Sequence, residues 1–160
     1  MMNFLRGIKK MKIGYSDGAT SNNKKGKGTG GYAWVIIEND KLLYKDCGSL
    51  KNTTNNECEL TAIINLCNFL NNIIDIMEPV IVYSDSSYII NCYNQNWWHK
   101  WIMNGWINSN KKPVANKELW EQLIPYFKDS RFSFQKVKAH SDSQWNNLVD
   151  QMAVSSKFDF

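Results

Sequence analysis

The spacing of apolar residues changes several times along the chain, and each change marks an element. Residues 12–16 read as a strand, and 19–31 as a polar loop rich in glycine and lysine. Residues 32–38 and 42–49 read as two more strands, with the turn Asn39-Asp40-Lys41 making them a hairpin. From 55 to 71 the period becomes helical: Leu60, Ile63, Ile64, Leu66, Cys67 and Leu70 share one stripe, and Thr53 or Thr54 is the cap. Pro79 breaks the pattern before 80–84, a continuously apolar strand of the kind buried on both faces. Helices are expected over 86–93, over the Trp-rich 97–106 with its end near Gly105, and over 116–127. Lys111-Lys112-Pro113 is a loop, 132–138 a strand and 144–156 a final helix. The order predicts an α/β fold with a mixed five-stranded sheet, three antiparallel strands followed by parallel ones, flanked by helices.

Within this frame the acids fall at unusual places. Tyr-Ser-Asp occurs twice, at Tyr15-Ser16-Asp17 and Tyr83-Ser84-Asp85, each time closing a short apolar strand. If the two strands are parallel neighbours, Asp17 and Asp85 emerge together at their carboxyl ends, where open α/β sheets place their sites. Either aspartate alone is equally well explained as a turn cap, as Asp17-Gly18 illustrates. Glu59 lies on the same helical face as Ile63, Leu66 and Leu70, so it points at the edge of the core and needs a cation. Glu57 points elsewhere, into solvent. Asp150 stands among Val149, Ala153 and Val154 on a largely apolar flank. If four acids converge, each like pair at 4 Å repels by roughly 4 kcal/mol at an effective dielectric near 20. Two divalent cations would balance them, and oxygen-only ligation selects Mg²⁺ or Mn²⁺ over zinc. Such ions keep positions open for water and phosphate oxygens, which points to phosphoryl chemistry.

Bulk properties narrow the class. The 160 residues suit one domain, 12–160, preceded by a short extension at 1–11. No apolar run reaches membrane-spanning length and the opening residues lack a signal-peptide core, so a soluble cytoplasmic protein is expected. Cys47, Cys58, Cys67 and Cys92 show no C-x-x-C spacing and read as reduced, packed thiols. A net charge of +4 leans mildly toward polyanionic partners.

Asp17 in YSDGA, Glu59 in TTNNECELTAI, Asp85 in VYSDSSYII, His140 in VKAHS and Asp150 in NNLVDQMA together resemble type 1 ribonuclease H, the bacterial-type nuclease of RNA–DNA hybrids. The similarity runs from Lys12 to Ala153 and includes Trp97, Trp101, Gly105-Trp106, KKPV at 111–114, Asn116 and Leu119-Trp120. One such motif is weak; four acids in order, each in its own flanking sequence, are specific. The resemblance implies an endoribonuclease that cuts the RNA strand by two-metal catalysis, leaving 5′-phosphate and 3′-hydroxyl ends. Asp17, Glu59, Asp85 and Asp150 would hold two Mg²⁺ ions, with Mn²⁺ as a substitute. His140 would assist proton movement or product release. Gly18, Asn55, Asn56, Ser87, Asn116 and Asn146 would contact the hybrid. Thr54 would belong to a DNA-phosphate pocket, and Trp97, Trp101, Trp106, Lys111 and Lys112 to a handle on the DNA strand. Trp at this spacing is otherwise core packing. The implied partner is the hybrid duplex alone, bound by a monomer with no small-molecule cofactor and no membrane.

The chain departs from the family pattern in places. Ile102-Met103-Asn104 stands where a basic cluster is usual, which predicts weaker binding through the handle, offset by Lys24, Lys25 and Lys27. Ser141-Asp142-Ser143 makes the His140 loop locally acidic, and Asn147 and Gln151 stand where acids are frequent, which predicts weaker hold on the second ion. Two rival readings remain: a non-catalytic hybrid-binding module, and another nuclease of this fold, of integrase or resolvase type.

Overall fold

Strand β2 (Gly28–Glu38) shows why the fold has two layers of helix. Its alternate residues Trp34 and Ile36 join one buried cluster, while Ala33, Val35 and Ile37 join another on the opposite face. A strand buried on both faces must be covered on both sides. The computed structural model describes residues 11–21, 28–137 and 143–157. His140, Lys24, Lys25, Lys27 and nearly all of the extension lie outside the described residues.

The sheet runs β3-β2-β1-β4-β5. β1 (Lys12–Thr20) and β2 pair antiparallel, as do β2 and β3 (Lys41–Thr53). β4 (Val80–Ser84) and β5 (Phe132–Lys136) continue the sheet in parallel. The expected mixed sheet, three antiparallel strands followed by parallel ones, is therefore present. Between β2 and β3 the turn is Asn39-Asp40, both with positive φ, the two-residue hairpin geometry that matches strand twist.

The first three strands are longer than the hydrophobic pattern indicates, whereas β5 ends at Lys136, short of the expected 138. β1 continues past Ser16 to Thr20, and β2 starts at Gly28, so both ends of the expected 19–31 loop belong to strands. Glycines are poor strand formers, yet Gly31 has a packing reason to be there. A Cβ on it would lie 2.0 Å from the Ala153 carbonyl oxygen of α5 (Gln144–Ser156). Its bareness lets the last helix lie on the sheet.

On the other face α1 (Asn55–Asn68) is capped by Thr54, whose hydroxyl accepts from the Glu57 N–H at 3.2 Å. It ends earlier than the expected 71, passing into a π-helical turn, Phe69–Ile74, that closes on left-handed Asp75. Leu60, Ile63, Leu66 and Leu70 are fully buried against Val80, Val82, Leu123 and Trp120. Three helices follow β4: α2 (Ser87–Asn94), α3 (Trp97–Met103) and α4 (Lys117–Phe127). Helix α3 stops two residues before Gly105, short of the expected 106. Within β4 only alternate residues are fully buried, Val80, Val82 and Ser84, so the strand is less enclosed than its composition implies. Cys58, Cys67 and Cys92 are buried free thiols, whereas Cys47 is exposed on β3.

Candidate active site

Strand register brings the first two acids together. β1 and β4 pair in parallel, with Ser16 opposite Ser84 as the last pair. Asp17 and Asp85 therefore follow side by side. Their situations differ, however. β4 ends at Ser84 and releases Asp85, whereas β1 continues and Asp17 stays paired with Ala33 of β2. Asp17 is consequently buried, at 3% exposure, and Asp85 is more open to solvent.

Helix α1 supplies the third acid. Glu59 keeps the position its stripe predicts, 4% exposed at the margin of the core. Gly18 makes the approach possible: a Cβ there would sit 2.6 Å from the backbone of Cys58 and Glu59. The Gly18 N–H donates to Asp17 Oδ1 at 2.8 Å and to Glu59 Oε1 at 3.2 Å. Carboxylate oxygens of Asp17, Glu59 and Asp85 lie within 4.8 Å of one another. Glu59 Oε2 is buried with no hydrogen-bond partner among the described residues.

The electrostatics follow from this crowding. Burial, with the Asp85 and Asp150 charges adding to it, pushes Asp17 up to about 7 despite its hydrogen bonds to Glu59 and Gly18. Burial and the neighbouring Asp17 push Glu59 well above the carboxylate range. Asp85 is also raised, by burial first and then by Asp150, although Lys136 acts in the opposite sense. A set of acids that resists ionisation, with one oxygen lacking any donor, is a site short of positive charge. Its donors are oxygens only, which fits a hard divalent cation.

These acids line a cavity of about 380 Å³ together with Gly18, Asn55, Asn56, Ser86, Ser87, Tyr88 and Asp150. Asp150 belongs to the rim: it is exposed on α5 and stands outside the tight trio. Among the expected hybrid contacts, Gly18, Asn55, Asn56 and Ser87 are thus gathered here. Asn116 is elsewhere, as the left-handed residue that opens α4. Asn146 sits in the first turn of α5, its N–H bonded to Ser143 Oγ at 3.3 Å and its side-chain oxygen buried without a partner among the described residues. Glu57 is not the free surface acid expected; half-buried, it accepts from Thr53 Oγ1 at 2.9 Å.

The sequence assigns no separate role to Ser86, Tyr88 or Lys136. Ser86 caps α2 by accepting from the Ile89 N–H at 3.2 Å, and the doubled serine after Asp85 was its only sequence signal. Tyr88 Oη accepts from Trp120 Nε1 at 3.1 Å, tying the cavity wall to the core. Nothing local marks Lys136, which the sheet alone carries here.

The Trp-rich segment is both packing and surface. Trp97, Trp101 and Trp106 are half-buried against the main core, with Trp101 edge-to-face on Trp120 at 5.3 Å. Trp97, Lys100, Trp101, Asn104, Ile107, Asn108 and Ser109 line a separate cleft of about 420 Å³. Lys111 and Lys112 are exposed on a loop closed by the Ile107–Pro113 bridge, with Asn108 Oδ1 accepting from Asn110 and Lys112 N–H groups.

The sheet order and the acid-lined cavity define an α/β protein built around a carboxylate centre. Residues 9–157 match the family described as RNase H. A Ribonuclease H of Caldanaerobacter subterraneus subsp. tengcongensis is 43% identical over 143 residues, spanning 88% of this chain and 86% of that one. A Ribonuclease H of Clostridium botulinum (strain Hall) is 38% identical over 150 residues, spanning 91% and 95%. Among solved structures, LC9-RNase H1, a type 1 RNase H with the type 2 active-site motif, superposes with a TM-score of 0.77 at 20% identity, covering 92% of this chain and 72% of that one. The foamy viral protease-reverse transcriptase in complex with RNA/DNA hybrid gives 0.80 at 21% identity, covering 96% of this chain and 21% of that one. The chain belongs to the ribonuclease H family.

Proposed function

We propose that this protein is an endoribonuclease that hydrolyses the RNA strand of RNA–DNA hybrids, with Asp17, Glu59, Asp85 and Asp150 holding two Mg²⁺ ions. Mn²⁺ is the expected substitute. The observation that carries the reading is the buried, unpaired oxygen of Glu59 beside Asp17 and Asp85, all open to one cavity. When bound, the divalent ions supply Lewis acidity at phosphoryl oxygens and a water acidified toward neutral pH.

The chain's own residues do the rest. The Gly18 N–H fixes the orientation of two carboxylates. Asn55, Asn56 and Ser87 offer side-chain polar groups at the cavity mouth, suited to reading the 2′-hydroxyls that mark RNA. Lys111 and Lys112 supply sequence-independent attraction to phosphates. Trp97, Trp101 and Trp106 shape the handle, and Thr54 contributes to a phosphate pocket as well as capping α1. Asn116 and Asn146 complete the contacts, and His140 moves a proton or speeds product release. Residues 12–160 act as one catalytic domain, as a monomer in the cytoplasm, leaving 5′-phosphate and 3′-hydroxyl ends.

The test is to offer labelled RNA–DNA hybrid, duplex DNA and duplex RNA with Mg²⁺ or EDTA. Metal-dependent cutting of the RNA strand of the hybrid alone is expected. Cutting of duplex DNA would favour an integrase- or resolvase-type nuclease, and tight binding without cutting a non-catalytic module.

A further inference from the structure

Strand β5 ends at Lys136, paired in parallel register with Ser84, the residue before Asp85. The Val137 N–H donates to the Ser84 carbonyl at 2.9 Å and holds this strand end in place. From there the Lys136 ammonium donates to Ser87 Oγ at 2.5 Å. Ser87 lines the acid-bearing cavity, and Lys136 is exposed beside it. No ion pair involving Lys136 is present among the described residues.

Two consequences follow from hydrogen-bond inventory. An ammonium has three donors and no acceptor, so Ser87 Oγ must be the acceptor in this contact. Its own hydrogen is then turned away from Lys136, which leaves the hydroxyl free to donate at the cavity mouth. The acceptors a donor meets in a minor groove are purine N3 or pyrimidine O2 at every nucleotide and, on the RNA strand, the 2′-oxygen. The ammonium keeps two further donors and its full charge, which suit a phosphate oxygen of the same strand.

Building on the hybrid-nuclease reading, we propose that Lys136 and Ser87 form a two-point clamp on the RNA strand: the ammonium takes a backbone phosphate, and the hydroxyl that it orients donates to a groove acceptor. Lys136 is thereby a positioning residue for Ser87 and a phosphate contact in its own right. The grip is independent of sequence and sits at the acid-lined cavity, whose lining does not include the Lys111–Lys112 loop.

The experiment measures binding of labelled RNA–DNA hybrid in EDTA over a series of KCl concentrations, alongside cleavage in Mg²⁺. The proteins are the wild type, Lys136→Met, Lys136→Arg, Ser87→Ala and the Lys136→Met/Ser87→Ala double variant. Lys136→Met is expected to weaken binding about tenfold at low salt and to shallow the log Kd against log salt slope by about one. In cleavage the loss is expected to fall mainly on KM. Lys136→Arg should restore the slope, Ser87→Ala should weaken binding without changing the slope, and the double variant should lose less than the sum. Wild-type affinity and slope in Lys136→Met would overturn the clamp. So would a change confined to kcat and to the Mg²⁺ requirement, which would make Lys136 a counter-ion for Asp85 only. Wild-type protein that binds hybrid without cutting it would defeat the nuclease reading while leaving the clamp standing.

Discussion

Asp17 and Glu59 share one backbone donor, the N–H of Gly18, and among the described residues neither has a cationic side chain bonded to it. Two acids held by a single N–H are under-compensated, and the protein's response to pH and metal should show it.

Metal-free protein should lose stability as pH rises. Asp17 is raised from 3.8 to about 7, and Glu59 and Asp85 shift in the same direction. Between these values the folded state keeps a proton that the unfolded chain has released, so folding is favoured on the acid side and the advantage is lost as pH passes through about 7. In EDTA the melting temperature should be higher near pH 5 than near pH 8, and Mg²⁺ should narrow the gap. Flat EDTA melting over this interval would contradict the buried-acid account.

A divalent cation should stabilise the fold by an amount that grows with the logarithm of its concentration once it exceeds Kd. At about a hundredfold excess over Kd the gain is about 2.7 kcal/mol, seen as a concentration-dependent rise in melting temperature. Asp85→Asn should abolish turnover and reduce this rise, yet leave EDTA stability equal or higher, because it removes one charge from a repelling group. Calorimetry with and without Mg²⁺ checks both halves.

Replacing Gly18 by Ala should damage structure and activity together. The added Cβ would meet the α1 backbone at 2.6 Å, where no flexible side chain can yield. Overpacking of this kind costs about 1–3 kcal/mol. Denaturant unfolding measures the loss, and cleavage should fall further than stability explains, since Glu59 moves with the helix.

The handle should separate into two kinds of residue. Trp101→Ala removes an edge-to-face partner of the fully buried Trp120 and should cost roughly 2–3 kcal/mol of stability, below the fully buried range. Lys111→Ala and Lys112→Ala lie on the exposed loop and should leave melting unchanged while lowering the salt dependence of hybrid binding by about one per lysine. Melting curves and salt titrations on the same variants separate the two effects.

Much of this was legible from local pattern. Helix α5 spans 144–156 as its periodicity indicates, and the Glu59 stripe faces inward as its spacing requires. Errors fall where tertiary packing overrides propensity. The 19–31 glycines read as loop, yet Gly28, Gly30 and Gly31 lie in β2, and Gly31 is needed bare beneath α5. Asp17 reads as a strand-terminal residue like Asp85, but continued pairing with β2 keeps it inside the sheet. The helix expected from 116 begins at Lys117, with Asn116 left-handed as its cap.

The sequence by itself determined which residues alternate, which stripe a helix buries and which acids interrupt apolar runs, because these depend on periods of two and 3.6 along one strand or helix. Only the tertiary structure decided that Asp17 is buried while Asp85 is more open, that Gly18 serves two carboxylates, and that Lys136 reaches Ser87. Those outcomes depend on where a neighbouring strand stops and how closely a helix can approach, and no single segment carries that information.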